Sequence, residues 1–328
     1  MELVELPIVE AAPQDIHDDT GTGATQTVVE WRSLPQVRLE TVGAGVGVGV
    51  IDTAVYAHPW FAGQVKGDSA DEVDGLLLNN YEAGHATFVA GLVLEQAPAA
   101  YVIVSGVLDA TGHGATEAVT QAAIQLVQGQ RDDGTPEIAI LNLSLGCYGT
   151  DAERCQFEEM LSAIWAVNPD LIVVAAAGNQ RAGETRPFYP AALAADHDQL
   201  VCVGAAADLT ATQWTDFSNQ GPNVTFRVCG VDRISTFLRF TTASGNPDGR
   251  WAKWGGTSFS TATMSGMIAA TMAPCSGDRK TGPQALAELR GNTELPVSLP
   301  IACFPFAAGA NGLQPASDGG LTGAVLPS

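Results

Sequence analysis

The sequence predicts one large α/β domain, built on a mostly parallel central sheet with helices on both faces. Strand-like and helix-like segments alternate along the chain, which is the pattern of right-handed β-α-β crossovers and therefore of a parallel sheet. A length of 328 residues is enough for one such core. Hydrophobic residues make up 46% of the chain and charged residues 16%, which suits a compact protein and argues against extensive disorder.

The predicted elements follow one another as strand, helix, strand over most of the chain. Apolar runs predict strands at 42–51, 101–108, 138–143, 171–176 and 200–205. Mixed apolar patterns predict helices at 87–95, 117–130 and 154–167, and a turn is expected at 109–114. A further helix-like run of small residues contains Ser258. Ligands of such sheets bind beyond the carboxyl ends of the strands, so residues that follow these strands are candidates for a site.

Composition divides the chain into three parts. Residues 1–36 are rich in Asp, Glu, Gly and Thr and predict an N-terminal arm that lies over the domain. Residues 37–305 form the predicted domain itself. Residues 306–328 form a tail rich in Gly, Ala and Pro, which we expect to be held loosely or wrapped on the surface.

The chain is strongly acidic, since 15 basic and 36 acidic side chains give a formal net charge of −21. Such a surface repels nucleic-acid phosphate and anionic lipid, so neither is expected as a general partner. No apolar run approaches the ~18 to 20 residues that span a bilayer. The N-terminus lacks the basic start and apolar stretch of a secretory signal. This predicts a cytoplasmic protein if the chain is complete, and a secreted one if a signal was removed.

Six cysteines neither demand nor forbid disulfides. Neighbours in sequence make local pairing reasonable in an oxidising compartment, and buried thiols are the equal alternative. There is no Cys-x-x-Cys and no cysteine beside a histidine, so metal ligation by cysteine is not expected.

Three polar residues stand at positions that suit nucleophilic catalysis. Asp52 follows the first predicted strand, His85 lies just before the helix predicted at 87–95, and Ser258 begins the small-residue helix. An alkyl hydroxyl attacks a carbonyl only when a nearby base takes its proton, and that base needs a group that holds it in the right tautomer. Asn179 follows another strand and carries an amide that can donate to a developing oxyanion.

The order Asp, His, Ser and the surrounding motifs resemble those of the subtilisin-like serine peptidases, or subtilases. Motifs in the family's order span roughly residues 43–275 and include 48–53, 84–91, 140–146, 172–179, 189–191 and 256–266. The resemblance implies a subtilisin-like fold and a serine endopeptidase. It makes Ser258 the nucleophile, His85 the general acid and base, and Asp52 the residue that orients the imidazole. Asn179 would contribute to the oxyanion hole.

The resemblance also implies where a peptide substrate binds. An extended substrate would pair in β-strand fashion with residues 144–146. The implied substrate-binding residues are Ser144, Leu145, Gly146, Ala177, Gly178 and Phe188. In the family, the residue before the Tyr-Pro motif lies at the floor of the pocket for the side chain preceding the scissile bond, and it is often glycine. Phe188 would restrict that pocket to small side chains if it points inward. Alternatively, Arg186 and Pro187 redirect the loop and Phe188 packs into the core.

Three positions depart from the family's pattern. Ala86 follows the histidine in place of glycine, Phe88 replaces a second histidine, and Ala262 stands where proline is usual. None of these changes removes a proton-transfer group.

Other interpretations of the motifs fail on spacing. The glycine-rich run at 43–49 lacks the third glycine of G-x-G-x-x-G, and no G-x-S-x-G surrounds Ser258.

The leading interpretation is an endopeptidase that acts on peptides or proteins through an acyl-enzyme. Two alternatives stay open. One is a peptide ligase or macrocyclase that passes the acyl group to an amine, and the other is a non-catalytic binding scaffold with the same fold. The chemistry requires no cofactor. Family members often bind calcium for stability, so structural calcium stays open, although no EF-hand spacing is present and no metal ligand is named. The oligomeric state has no signal in the sequence.

Overall fold

The structure is a computed structural model that describes residues 3–5, 14–15, 41–70, 81–240 and 249–291. The predicted C-terminal tail at 306–328 lies outside these residues. Of the predicted N-terminal arm at 1–36, only the two short stretches at 3–5 and 14–15 lie within them.

The described residues contain α-helices that are numbered here in chain order: α1 His85–Gln96, α2 Thr116–Val127, α3 Asp151–Val167, α4 Thr257–Met272 and α5 Gly282–Gly291. The first eight strands are β1 Leu3–Glu5, β2 Gln14–Asp15, β3 Gly47–Asp52, β4 Val55–Tyr56, β5 Val65–Gly67, β6 Ser69–Ala70, β7 Tyr101–Gly106 and β8 His113–Ala115. The remaining strands are β9 Ile140–Leu143, β10 Cys147–Tyr148, β11 Ile172–Ala176, β12 Phe188–Tyr189, β13 Leu200–Ala206, β14 Phe226–Cys229, β15 Arg233–Phe240 and β16 Gly249–Trp254.

A seven-stranded sheet with the order β14-β13-β11-β9-β3-β7-β5 forms the centre of the fold. All of its neighbouring strands pair in parallel, which confirms the predicted α/β architecture. From β3 the chain first builds β5 and β7 on one side and then continues with β9 on the other. The strand order therefore reverses beside β3, and open α/β sheets bind ligands at such a switch point.

Helices cover both faces of this sheet and bury two apolar layers. Consecutive residues of a strand point to opposite faces. In β11, Val174 packs in the layer beneath α1 and α4, whereas Val173 and Ala175 pack in the layer beneath α2 and α3. Strands that are covered on both faces read as continuous apolar runs, which is why they were visible in the sequence.

Helix α4 runs through the interior, and every one of its residues is buried. Its small side chains let it approach α1 closely: a Cβ placed on Gly266 would lie 2.6 Å from the carbonyl oxygen of Val93. Its buried hydroxyls donate to backbone carbonyls one turn earlier, as Thr261 does to Thr257 and Ser265 to Thr261. The run of Ser, Thr, Ala and Gly thus forms a buried helix with satisfied polar groups.

The element boundaries differ from the sequence prediction mainly where glycine interrupts a pattern. The strand predicted at 42–51 begins only at Gly47, because residues 41–45 form a turn in which Gly43 and Gly45 have φ angles of 79° and 70°. Alternating glycine and valine fits a strand by periodicity, yet these two glycines adopt left-handed backbone conformations. The turn predicted at 109–114 runs into the short strand β8.

Several antiparallel elements were not predicted. Strands β15 and β16 form a hairpin, and β10 pairs with β12 so that Tyr148 lies opposite Phe188. The two short strands of the N-terminal arm also pair with the domain, β1 with β8 and β2 with β16. Across the described ranges, no helix has both the length and the apolar character that a membrane crossing needs.

Both cysteine states that the sequence left open occur. Cys275 is disulfide-bonded, whereas Cys155, Cys202 and Cys229 are thiols. Burial raises the pKa of the Cys202 thiol to about 12, so this side chain stays protonated and unreactive near neutral pH.

Candidate active site

Asp52 and His85 form a buried pair at the carboxyl end of the central sheet. Asp52 is the last residue of β3, and its Oδ2 and Oδ1 lie 2.8 Å and 3.0 Å from Nδ1 of His85. The backbone N–H of Thr53 donates to Oδ1 at 2.6 Å. Because Nδ1 faces the carboxylate, Nε2 is the ring nitrogen left to face a substrate or a nucleophile.

The Thr53 hydroxyl ties the start of α1 to the end of β3. It accepts a hydrogen bond from the backbone N–H of Ala86 at 3.2 Å and donates to the carbonyl of Ala83 at 3.3 Å. His85 is the first residue of α1, so these bonds hold its backbone beside Asp52. The sequence alone predicted no role for this threonine, although it directly follows Asp52.

Two aromatic rings enclose the imidazole of His85. Trp254 meets it edge-on at a centroid distance of 5.7 Å, and Phe259 packs against it at 5.4 Å. Phe259 directly follows Ser258 in the first turn of α4, so this contact brings the serine backbone next to the histidine. His85 and Ser258 are each only 1% exposed. The imidazole is thus held by contacts with these two rings and by the carboxylate of Asp52.

A buried hydrogen-bond network joins Ser258 to β9. The Ser258 hydroxyl donates to the carbonyl of Ser144 at 3.0 Å, and the Ser144 hydroxyl donates to the carbonyl of Ser258 at 2.8 Å. Asn142 donates to the Ser144 hydroxyl at 2.9 Å and accepts from Ser265 at 3.0 Å. In this rotamer the nucleophile candidate points to Ser144, and rotation about χ1 redirects its hydroxyl.

The side chain of Asn179 is oriented by Thr257. Its Oδ1 accepts from the backbone N–H of Thr257 at 3.0 Å and from the Thr257 hydroxyl at 2.9 Å. A backbone N–H can only donate, so these bonds identify the oxygen of the amide. Nδ2 is buried and has no hydrogen-bond partner. Buried donors are rarely left unpaired, so this N–H is a strong candidate for binding an anion that forms during a reaction.

The glycines before Asn179 and after Leu145 border a space that the Phe188 ring fills. Phe188 is 4% exposed. A Cβ placed on Gly146 would lie 2.4 Å from its Cε1, and one on Gly178 would lie 3.2 Å from its Cγ and Cδ1. Gly178 also has a φ of 100°, which favours glycine.

Two of the other predicted substrate-binding residues, Leu145 and Ala177, are buried. Leu145 is fully buried in the apolar layer beneath α2 and α3, so only its backbone is available to a ligand. The carbonyl of Ala177 accepts a hydrogen bond from Asn219 at 2.8 Å. Residues of the site that the sequence analysis did not assign are Thr53, Asn142, Tyr148, Asn219, Trp254, Thr257 and Phe259. Thr53, Thr257 and Phe259 are direct neighbours of candidate residues in the chain, whereas the other four are not.

The N-terminal segment runs beside this site. Strand β1 pairs antiparallel with β8, with Leu3 opposite Ala115 and Glu5 opposite His113. It also approaches β10, which directly follows Gly146. The backbone of Leu3–Glu5 therefore lies between β8 and the strand that follows the 144–146 segment.

Among the residues that the structure describes, no group of three or more His, Cys, Asp or Glu side chains is arranged to hold a metal ion. Structural calcium stays a prediction from the family resemblance.

Comparison with known proteins identifies the family of this chain. The subtilase family profile matches residues 43–284. The chain is 29% identical over 260 residues to an intracellular serine protease of Paenibacillus polymyxa, covering 74% of this chain and 71% of that protein. It is 30% identical over 236 residues to subtilisin Savinase of Lederbergia lenta, covering 69% and 76%.

Solved structures agree on the fold. A cold adapted subtilisin-like serine proteinase superposes with a TM-score of 0.59 at 23% identity, covering 79% of this chain and 85% of that one. A lanthipeptide protease superposes with a TM-score of 0.61 at 20% identity, covering 81% and 85%.

These findings define a serine-type endopeptidase, whose substrates are peptides or proteins. The chain belongs to the subtilase family.

Proposed function

We propose that this endopeptidase hydrolyses peptide bonds through an acyl-enzyme on Ser258, with His85 as general base and acid and Asp52 as its orienter. The observation that carries the proposal is the buried Asp52–His85 pair, with Oδ2 2.8 Å from Nδ1, beside the helix whose first turn contains Ser258. A carboxylate in this position fixes the tautomer of the imidazole and stabilises the imidazolium that forms when Nε2 takes a proton.

The proposed reaction has two halves. Ser258 Oγ turns from the Ser144 carbonyl and attacks the carbonyl carbon of the scissile bond, while its proton passes to Nε2 of His85. The tetrahedral intermediate collapses, the amine leaves with the proton from Nε2, and an ester to Ser258 remains. Water then attacks this ester with His85 again as base, and the carboxylic acid product leaves as the serine hydroxyl is restored.

Charge on the oxyanion needs donors that are already in place. Nδ2 of Asn179 is buried without a partner. The backbone N–H of Ser258 lies in the first turn of α4, where helix N–H groups lack intrahelical acceptors. These two donors form the proposed oxyanion hole, and their orientation is set before the substrate binds.

A peptide substrate would lie extended along the backbone of Ser144, Leu145 and Gly146, pairing with it as an added strand. Ala177 and Gly178 would border the same substrate from the other side. The protein groups supply the nucleophile, the base and the oxyanion donors, so the proposed reaction has no step that requires a cofactor. Bound calcium would act on stability.

The test compares Ser258→Ala, His85→Ala and the double variant on a peptide of known sequence. Groups that act as a unit give similar losses singly and together, so all three variants should lose about the same large factor in kcat, on the order of 10⁴ or more. The matched control is Ser260→Ala, which removes another buried hydroxyl of α4 that donates to Val228 at 2.8 Å. That variant should remain active.

Product masses complete this test. Hydrolysis gives fragments whose masses sum to the substrate plus one water, whereas ligation or cyclisation gives a product without the added water. Equal cleavage by wild type and Ser258→Ala, or losses that add in the double variant, would contradict the proposal.

A further inference from the structure

The space between Gly146 and Gly178 is where the substrate side chain next to the scissile bond must go. Gly178 precedes the oxyanion donor Asn179, and Gly146 ends the segment whose Ser144 carbonyl receives the Ser258 hydroxyl. The attacked carbonyl would therefore lie between these two segments, and its neighbouring side chain would project between the two glycines. This step rests on the proposed function.

Phe188 already occupies that space. A Cβ placed on Gly146 would lie only 2.4 Å from Cε1 and 2.7 Å from Cζ at the edge of the ring. On the other side, a Cβ on Gly178 would lie 3.2 Å from the ring. Because neither glycine has a side chain, the Phe188 ring fits between them. The ring therefore leaves little room for a large substrate side chain.

A network holds the ring in place. Strand pairing sets Tyr148 opposite Phe188, and their ring centroids are 4.9 Å apart. The Tyr148 hydroxyl accepts a hydrogen bond from Asn219 Nδ2 at 2.8 Å, and the same Nδ2 donates to the Ala177 carbonyl at 2.8 Å. Asn219 Oδ1 accepts from the backbone N–H of Gln180 at 2.9 Å. Phe188 is therefore packed against a tyrosine that is tied to the opposite wall.

The outer side of the tyrosine is covered as well. The Arg186 guanidinium lies 4.5 Å from the Tyr148 ring centroid. Arg186 is itself paired with Glu184, with Nη2 2.7 Å from Oε2. Swinging the Phe188 ring out of the space would require these contacts to rearrange.

We infer that Phe188 is a specificity-determining residue that plugs this pocket, so that the enzyme cleaves after residues with small side chains such as Gly, Ala and Ser. A small side chain fits without moving the ring. A Leu or Phe side chain has to displace the ring and break its contacts with Tyr148 and the two glycines. The free energy that this requires raises the transition state of the larger substrate.

The experiment measures kcat/KM for matched peptides that carry Ala or Phe before the scissile bond, with cleavage sites verified by mass spectrometry. Wild type should prefer the Ala peptide by about 100-fold or more. Phe188→Gly should shift the ratio towards the Phe peptide by about 100-fold, and Phe188→Leu by a smaller factor. The matched control is Phe61→Leu, a buried phenylalanine in the layer beneath α1 and α4, which should leave the ratio unchanged.

Peptide boronic acids that end in Ala or Phe provide a second measurement, because they bind the nucleophile and report pocket size without turnover. Wild type should bind the Ala inhibitor more tightly than the Phe inhibitor, and Phe188→Gly should shift this ratio towards the Phe inhibitor. Phe188→Leu disturbs the surrounding packing least and should shift the ratio by a smaller factor. The inference is wrong if wild type accepts both peptides equally, or if Phe188→Gly folds and gains nothing on the Phe peptide. Labelling of Ser258 by a fluorophosphonate separates the two failures. A labelled enzyme without the selectivity overturns only the pocket inference, whereas an unlabelled and inactive enzyme overturns the proposed function and this inference with it.

Discussion

Replacing Asn179 by Ala separates catalysis from stability in this site. The substitution removes Nδ2, which is buried and unpartnered, and also Oδ1, which accepts two hydrogen bonds from Thr257. Removing one donor of an oxyanion hole lowers kcat by about 10²- to 10³-fold, a magnitude measured in subtilisin itself. The donor acts on charge that appears only in the transition state, so KM should change little.

The loss of Oδ1 should appear as instability. The Thr257 N–H and hydroxyl would be left buried without this acceptor, and an unsatisfied buried group costs roughly 1–3 kcal/mol. Urea unfolding should therefore show a decrease of that order in the free energy of unfolding. Kinetics on a chromogenic peptide and unfolding are measured on the same preparation.

Asn168→Ala is the control for this experiment. Asn168 is also buried, and its amide donates to the Ile138 carbonyl at 3.1 Å and accepts from the Asp170 N–H at 3.3 Å. It should lose stability to a similar extent and keep its kcat. The reasoning is refuted if Asn179→Ala keeps kcat within about threefold of wild type, or if Asn168→Ala loses as much kcat as Asn179→Ala.

Two further predictions concern the cleft edge and the loop beside the pocket. Strand β1 pairs with β8 and approaches β10, which follows the proposed substrate segment 144–146, so β1 would compete with the distal part of a long peptide. Val4→Pro should weaken this pairing and raise kcat/KM several-fold for peptides with four or more residues before the scissile bond, but not for short esters. Equal gains on both substrates would contradict this view. Hydrogen bonding to Arg186 lowers the pKa of Glu184 from 4.5 to about 2. The ionised carboxylate therefore stabilises the folded state at pH values above 4.5, and this stabilisation is lost as the pH falls towards 2. The free energy of unfolding of wild type should therefore exceed that of Glu184→Gln by the largest amount above about pH 5. A difference between the two proteins that grows as the pH falls would contradict this prediction.

The parallel sheet was predictable because its strands are buried on both faces. Runs such as that of β11 are apolar throughout, and the helices between them are of ordinary length. The residues that follow β3 and β11 could then be assigned to one edge of the sheet from the sequence alone. The glycine-rich segment made the start of the first strand unpredictable, because Gly43 and Gly45 fit a strand pattern but form a turn.

Contacts between distant segments could not be obtained in this way. Trp254 and His85 are far apart in sequence, and only the hairpin of β15 and β16 brings the indole onto the imidazole. The contact of Phe188 with Gly146 depends on the antiparallel pairing of two strands of two residues each, which have no periodicity to detect. The position of Phe188 in the chain suggested a pocket residue, but its neighbours follow only from the fold.

The most direct test of the proposed mechanism is covalent labelling with a fluorophosphonate, followed by peptide mapping. The account predicts one probe per protein on the peptide that contains Ser258, no labelling of Ser258→Ala, and a strong decrease in His85→Ala, because the base is needed to activate the hydroxyl. Ser260→Ala should be labelled like wild type. Labelling at another residue, or equal labelling of wild type and Ser258→Ala, would contradict the assignment of Ser258 as the nucleophile.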